Sequence, residues 1–337
     1  MGKFSLRYRV ETKHLSAPFR ISGFVFETSD VVVVELSDGS FTGRGEAAGV
    51  YYLGDNSAHI VAELSAHRAI IEDGPDREEL RSLMPAGGAR NAVDCAMWDL
   101  EAKREGTEAR HLADLDSPRA LVTTFTLGAD EPEAMAEGAR RYADAQAIKI
   151  KLTGELELDV ARVTAIRAAR PDVWLGVDAN QGFRRDQLDV LAQALSTLRV
   201  SLLEQPLPRG HEADLDGYRC PIPIAADESA LGLDDVLGLV GRFDVINIKL
   251  DKCGGLTEAL AIAASARELG LKVMVGNMVG TSLAMAPGFV VGQLCDVVDL
   301  DGPIFLKRDR TPAATYADGK IWCGEDLWGG GPASQPV

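Results

Sequence analysis

The feature that most constrains this chain is an alternation that begins near Leu121. Short apolar, β-branched runs at 121–127, 147–152, 173–177, 200–203, 222–225, 244–250, 272–275 and 296–300 are mostly separated by amphipathic stretches such as 156–169, 185–198 and 256–269. Adjacent parallel strands need a crossover, usually a helix, so eight β segments spaced in this way read as a parallel barrel. A doubly wound open sheet is the alternative. It would carry a glycine-rich phosphate fingerprint after its first strand, and no GxGxxG opens a helix there.

The first part of the chain is organised differently. Residues 3–11, 24–36 and 41–48 are rich in Val, Phe and Tyr, and Asp38-Gly39 between the last two supplies hairpin chemistry. From Asn56 the period changes: Ile60, Leu64, His67 and Ile71 share one helical face. A second helix runs from about Ala89, with Val93, Met97 and Leu100 on one face, and stops at Gly106. The expected division is an α+β module over 1–115, a barrel over 116–314, and a Gly- and Trp-rich tail over 315–337 that packs back on the first module.

Composition excludes several classes. The chain has 337 residues, 46% of them hydrophobic, which suits a packed globular body. Its 35 Lys and Arg against 51 Asp and Glu give a net charge of −16, which repels nucleic-acid phosphates and anionic lipid. Cys95, Cys220, Cys253, Cys295 and Cys323 are odd in number and form no CxxC pair, arguing against a disulfide framework or zinc cluster. The charged start MGKFSLRYRVETKH has no apolar core of a secretory signal, and no stretch approaches the roughly 18 to 20 apolar residues that cross a bilayer. A cytoplasmic protein acting on a small molecule is expected, with no nucleic-acid or membrane partner and with homo-oligomerisation left open.

In a barrel of this kind chemistry sits at the C-terminal ends of the strands. Standing there are Lys149 and Lys151 in AIKIKL, Asp178 in WLGVDAN, Glu204 in SLLEQP, Asp227 in IAADES, Lys249 in INIKLDK, and Asp299 and Asp301 in VVDLDGP. A single acid after a strand is ordinarily a helix cap or turn residue. Lys149 and Lys151 share a strand face, however, and both faces of a barrel strand are covered, so these cations need anionic company. Asp178, Glu204 and Asp227, converging from adjacent strands, would repel one another without a cation. All-oxygen ligands suit Mg²⁺, with Mn²⁺ as the alternative, better than Zn²⁺. Lysines on either side of such an ion suit removal and return of a proton α to a carboxylate, provided the pKa of the basic lysine is lowered.

These residues carry a resemblance. RNAVDCAMWDLEAKREG, KIK, VDAN, LEQPLP, ADES, NIKLDKCGGLTEAL and DLDGP together resemble the enolase superfamily in its muconate-lactonizing branch, and most closely the dipeptide epimerases typified by L-Ala-D/L-Glu epimerase. The resemblance implies an α/β fold: a modified TIM-type (β/α)7β barrel with an N-terminal α+β capping domain. It implies an isomerase using 1,1-proton transfer at the α-carbon of a dipeptide's C-terminal residue, through an enediolate. Lys151 and Lys249 would be the acid/base pair, Lys149 would assist Lys151, and Asp178, Glu204 and Asp227 would hold Mg²⁺. Lys252 falls past the strand end and would be structural or would support a site residue from behind. Asp299 and Asp301 would receive the α-ammonium of the dipeptide, a cation for which two carboxylates are natural partners.

One stretch departs from the pattern. Relatives acting on Ala-Glu commonly carry an arginine in the mobile loop of the first module, facing the glutamate side chain. Here FRISGFVFETSD offers Arg20, then Gly23, Phe24 and Phe26 at the corresponding place. An apolar or aromatic C-terminal residue under a lid of Phe24 and Phe26 is one reading; that both phenylalanines belong to the sheet core is the other. Other readings are N-succinylamino acid racemase, o-succinylbenzoate synthase or a cycloisomerase of the same superfamily, a Schiff-base aldolase on a similar barrel, and a non-catalytic binding protein. The Asp299–Asp301 pair favours a free amine over an N-succinyl group.

Overall fold

The computed structural model describes residues 3–21, 24–115 and 117–330; Gly23, part of the loop reading above, lies outside them, as does the end of the tail from 331. Strands β1 (Ser5–Ile21), β2 (Phe24–Ser37) and β3 (Thr42–Ala47) form an antiparallel sheet in that order. The β1–β2 ribbon runs well past the apolar run ending at 11, because Thr12, Lys13 and His14 pair with Asp30, Ser29 and Thr28 although their polar side chains carry no apolar signal. The continuous VVVV run of β2 has a direct cause. Val32, Val34 and Leu36 pack into the first module's own core, whereas Val33 belongs to the cluster shared with the barrel.

The helical half of this module follows. Helices α1 (Ser57–Ala66) and α2 (Arg68–Asp73) break at His67, so the single face read from Ile60 to Ile71 is carried by two helices. Asn56 caps α1 by accepting from Ala58 N and His59 N. α3 (Arg77–Leu83) opens on a reciprocal box between Asp76 and Glu79, a D-x-x-E signature that apolar periodicity alone does not reveal. α4 (Gly88–Glu105) is buried along most of its length and ends at Gly106, whose φ of 63° is left-handed. It lies directly on β3: a Cβ on Gly43 or Gly45 would come within 2.0 Å of the carbonyl oxygens of Ala96 or Ala92. α5 (Ala109–Leu112) leads out of the module.

The run 121–127 is split. β4 (Leu121–Val122) pairs outside the barrel, and β5 (Thr124–Leu127) opens it. Then follow α6 (Pro132–Arg141), β6 (Ala147–Lys151), α7 (Leu156–Ala169), β7 (Trp174–Asp178), α8 (Arg185–Thr197), β8 (Leu202–Glu204) and β9 (Ile224–Ala226). After these come α9 (Val236–Leu239), β10 (Val245–Ile248), α10 (Leu250–Cys253), α11 (Leu256–Glu268), β11 (Lys272–Val275), α12 (Ser282–Gly292) and β12 (Val297–Val298). The eight strands from β5 to β12 make one parallel sheet in sequential order. Side chains stitch its seam: Thr124 Oγ1 donates to Asp299 Oδ1 (2.5 Å), Thr126 N to Asp301 Oδ2 (2.6 Å) and Leu300 N to Thr123 Oγ1 (2.9 Å).

The tail is shared between the two parts. Its hairpin, β13 (Thr315–Ala317) and β14 (Lys320–Trp322), pairs with β4 at the barrel's entry. Beyond it Trp328 Nε1 donates to Arg44 O, and Gly329 N to Asp99 Oδ1, on the first module. Inside the barrel, Leu202, Ala225, Val245 and Met274 form a small apolar cluster with Trp174 and Val297. Trp174, Leu202, Val245 and Val297 open their strands, whereas Asp178 and Glu204 close β7 and β8.

Candidate active site

Parallel register sets the site. Lys151 of β6 pairs with Asp178 of β7, which pairs with Glu204 of β8, so three strand-terminal side chains fall on one line. Asp227 and Lys249 each follow the last residue of their strands, β9 and β10. Every one of these residues is buried, and three of them are acids. Burial of this many charges is tolerable only if each is paired.

The pairing is dense. Lys151 Nζ reaches Asp178 Oδ2 at 2.6 Å, and Lys249 Nζ reaches Asp227 Oδ2 at 2.6 Å. Lys149 Nζ lies 3.2, 2.8 and 2.9 Å from Asp178, Glu204 and Asp299. Lys252, placed past the strand end by the sequence, in fact turns back inside. It donates to Asp227 Oδ1, Asp227 O and Asn247 O, fixing Asp227 from the side opposite Lys249.

Electrostatics follow from this geometry. Burial alone would raise Asp178, but Lys151 and Lys149 outweigh it and hold the carboxyl below the usual range; Lys249 and Lys252 do the same for Asp227. Glu204 is pushed up to about 7 by burial and the nearby Asp178. The lowered pKa that base catalysis would require of Lys249 is not supplied by the protein's own groups. For Lys249 burial works downward, yet the charge of Asp227 prevails and raises it, and Lys149 is raised in the same way by Asp299 and Glu204.

The donor set fits a hard dication. Asp178, Glu204 and Asp227 each offer a carboxylate oxygen within 4.8 Å of the others, all from buried side chains, and Mg²⁺ takes carboxylate oxygens in preference to sulfur or nitrogen. Around them are residues that strand-end reading missed. Gln205 Oε1 accepts from Asp227 N and Ser229 N and so fixes the β9 turn against β8. Asn247 Nδ2 donates to Glu204 Oε1 at 2.8 Å. Asn180 and Glu228 follow Asp178 and Asp227 by two residues and by one. Asn247 shares a strand face with Lys249, a period-two signal that could have found it. Asn180, Gln181 and Gln205 have φ of 42°, 65° and 36°, a cluster of uncommon backbone conformations at the strand ends.

Asp299 and Asp301 occupy the seam. Asp299 is divided between Thr124 and Lys149, and Asp301 accepts from the Thr126 amide. Asp301 is raised to about 7 by burial and the adjacent Asp299. A cavity of about 250 Å³ opens between the first module and the barrel, with Lys151, Lys249, Asp227 and Asn180 on its floor and Phe26, Tyr51, Tyr52, Met278 and Val279 among its walls. Phe24 does not belong to the sheet core: it is 48% exposed. It stacks with Phe26 at 6.0 Å, and Tyr51 meets both rings edge-on at 4.8 and 5.3 Å.

The chain matches the mandelate racemase/muconate lactonizing enzyme N-terminal domain over residues 5–113 and the enolase C-terminal domain-like family over 134–322. It is 39% identical to the L-Ala-D/L-Glu epimerase of Escherichia coli K12 over 309 residues, covering 91% of this chain and 96% of that one. Among solved structures, an enolase family member from Agrobacterium tumefaciens with homology to dipeptide epimerases, holding sodium and L-Ala-L-Glu, superimposes with a TM-score of 0.92 at 40% identity, covering 97% of this chain and 100% of that chain. The dipeptide epimerase of Enterococcus faecalis V583, complexed with Mg and L-Leu-L-Tyr, superimposes with a TM-score of 0.91 at 29% identity over 96% and 98% of the two chains.

Proposed function

The chain belongs to the enolase superfamily, and on that premise we propose that it is a Mg²⁺-dependent dipeptide epimerase moving a proton at the α-carbon of the C-terminal residue. The observation that carries this is the register-locked line of Lys151, Asp178 and Glu204, with Asp227 and Lys249 completing a basic–acidic–basic arc under one cavity. Residues 1–115 would form the capping unit, with the tail from 315 packing back on it, and 116–314 the catalytic barrel. The net charge of −16 supports a small-molecule partner over nucleic acid or a membrane. Among the described residues no helix is long and apolar enough to cross a membrane, and five free cysteines suit the cytoplasm.

Asp178, Glu204 and Asp227 would hold the ion. When bound it supplies positive charge that offsets the three acids and steadies the negative charge developing on the substrate's carboxylate. Lys151 and Lys249 sit at opposite ends of the arc, so a Cα–H bond between them presents its hydrogen to one lysine, acting as the neutral amine, and its opposite face to the other, which carries the ammonium. One Nζ takes the proton while the other returns one, and the configuration inverts. Lys149, tied to Asp299 and Glu204, holds its charge beside Lys151. The seam acids Asp299 and Asp301 would receive the free α-ammonium.

A finer reading concerns the side chain. Lys151 and Lys249 are the cations among the cavity's lining residues, and both touch acids of the triad, while Phe26, Tyr51 and Tyr52 offer aromatic faces. Arg20 lines a neighbouring groove with Asp130 and Tyr142. An apolar or aromatic C-terminal residue therefore meets better partners here than a glutamate. Incubation with a dipeptide library and Mg²⁺ in D₂O tests both levels. Inversion with deuterium uptake at the C-terminal α-carbon is expected, faster for Ala-Phe or Ala-Leu than for Ala-Glu. No exchange with any dipeptide would overturn the reaction, and preference for Ala-Glu would overturn the side-chain reading alone.

A further inference from the structure

Among the described residues four buried side-chain polar atoms have no hydrogen-bond partner: Tyr52 OH, Asn180 Oδ1, Glu228 Oε2 and Asn247 Oδ1. Tyr52 and Asn180 line the cavity, Asn247 donates to Glu204, and Glu228 adjoins Asp227. The Tyr52 hydroxyl can donate as well as accept, but the other three are acceptors; buried acceptors are nearly always satisfied, so their gathering around three acids calls for a donor.

Asn180 and Glu228 face each other across this ring. Asn180 Nδ2 stands 3.5 Å from Glu228 Oε1, leaving Asn180 Oδ1 and Glu228 Oε2 as open acceptors. Both are held in place by the turns that present the acids. Asn180 N donates to Asp178 Oδ1 at 2.9 Å, and its φ of 42° is one that asparagine adopts more readily than most residues. Glu228 sits between Asp227 and Ser229, whose amides both donate to Gln205 Oε1. It is 2% exposed, and no lysine is given to it: Lys149, Lys151, Lys249 and Lys252 are all engaged with other acids.

We propose that Asn180 and Glu228 belong to the divalent-cation site as outer acceptors, receiving hydrogen bonds from water in the coordination sphere of the ion; the proposal rests on the reading of Asp178, Glu204 and Asp227 as its ligands. Three carboxylates leave coordination positions open, and Mg²⁺ gives up its water reluctantly. Water on a dication is a strong donor with nothing to accept, which is what two open acceptors require. A substrate carboxylate would be the wrong occupant for these atoms, because it brings further acceptors and no donor.

Calorimetric titration of Mg²⁺ alone into the metal-free full-length protein tests this, with Asn180→Ser, Glu228→Gln and Asp178→Asn beside the parent. Loss of an outer partner ordinarily weakens metal affinity about 10- to 100-fold. That loss is expected for Asn180→Ser and Glu228→Gln, with metal-free melting temperatures close to the parent's. Mn²⁺ water-proton relaxation supplies a second reading, since altered outer acceptors change the exchange of the ion's water and a purely structural role does not. Affinity within twofold of the parent and unchanged relaxivity in both variants would overturn the proposal. Should Asp178→Asn bind Mg²⁺ as the parent does, the underlying metal reading fails instead. If Glu228→Gln does not fold, Asn180→Ser decides.

Discussion

Two buried charged clusters in this molecule can be set side by side. One is the strand-end arc of the barrel. The other lies where α4 of the capping module meets α10 and α11: Arg90 donates to Cys253 O, Gly254 O, Met84 O and Arg81 O and pairs with Glu258, while Asp94 accepts from Thr257 N and Oγ1, and Trp98 Nε1 donates to Thr257 Oγ1. In the interface, charge is met largely by backbone groups in fixed places, and none of its members is among the unpartnered buried atoms of the described residues. In the arc, lysines and carboxylates share one another, and unpartnered acceptors surround them. Saturated networks specify a docking geometry; a network with open acceptors and mobile protons is a place for a ligand.

The comparison is sharpened by substituting in each cluster. The largest effect is expected in the arc: Lys151→Ala should lower epimerisation by about 10²- to 10⁴-fold, the range of a general acid or base, with a melting temperature in Mg²⁺ near the parent's. In the interface Arg90→Ala should do the reverse, costing about 3–5 kcal/mol in urea unfolding by leaving Glu258 and several carbonyls without their partner. Equal loss of stability from both substitutions would erase the distinction drawn here.

A pH effect probes the interface cluster. Burial pushes the Asp94 carboxyl up to about 6, against the opposing bonds from Thr257. An acid raised in the fold binds protons more tightly there than when unfolded, so its contribution to stability is full below about pH 4 and is lost as pH rises through about 6. Asp94→Asn should flatten that slope, changing the pH 4 to pH 6 difference by about 2 kcal/mol; an unaltered slope would count against the assignment. The smallest effect is Trp98→Phe, which removes one hydrogen bond to Thr257 and should cost about 1 kcal/mol, again with proton exchange unaffected.

Much of this was legible in the sequence, for reasons the structure makes plain. Parallel strands put their last residues in one layer, so Lys151, Asp178, Glu204, Asp227 and Lys249 could be read as neighbours from repeating strand–helix units alone. α7 spans Leu156–Ala169, the same bounds as the amphipathic stretch read from the sequence. What escaped depends on contacts that sequence distance hides. The inward turn of Lys252 needs the carbonyls of Asp227 and Asn247, 25 and 5 residues away. The split at Thr123 needs β14, about 200 residues downstream, to draw Leu121 and Val122 out of the barrel, and the exposed position of Phe24 depends on packing against Tyr51.

The central claim, that Lys151 and Lys249 exchange a proton at one carbon from opposite faces, is tested most directly by stereochemically resolved α-proton exchange. Each isomer of an accepted dipeptide, L,L and L,D, would be followed by NMR in D₂O with Mg²⁺, using the parent, Lys151→Ala, Lys249→Ala and the double variant. The account predicts exchange and inversion of both isomers by the parent, exchange of a single and different isomer without inversion by each single variant, and none by the double variant. Exchange surviving in the double variant, or both single variants exchanging the same isomer, would contradict it.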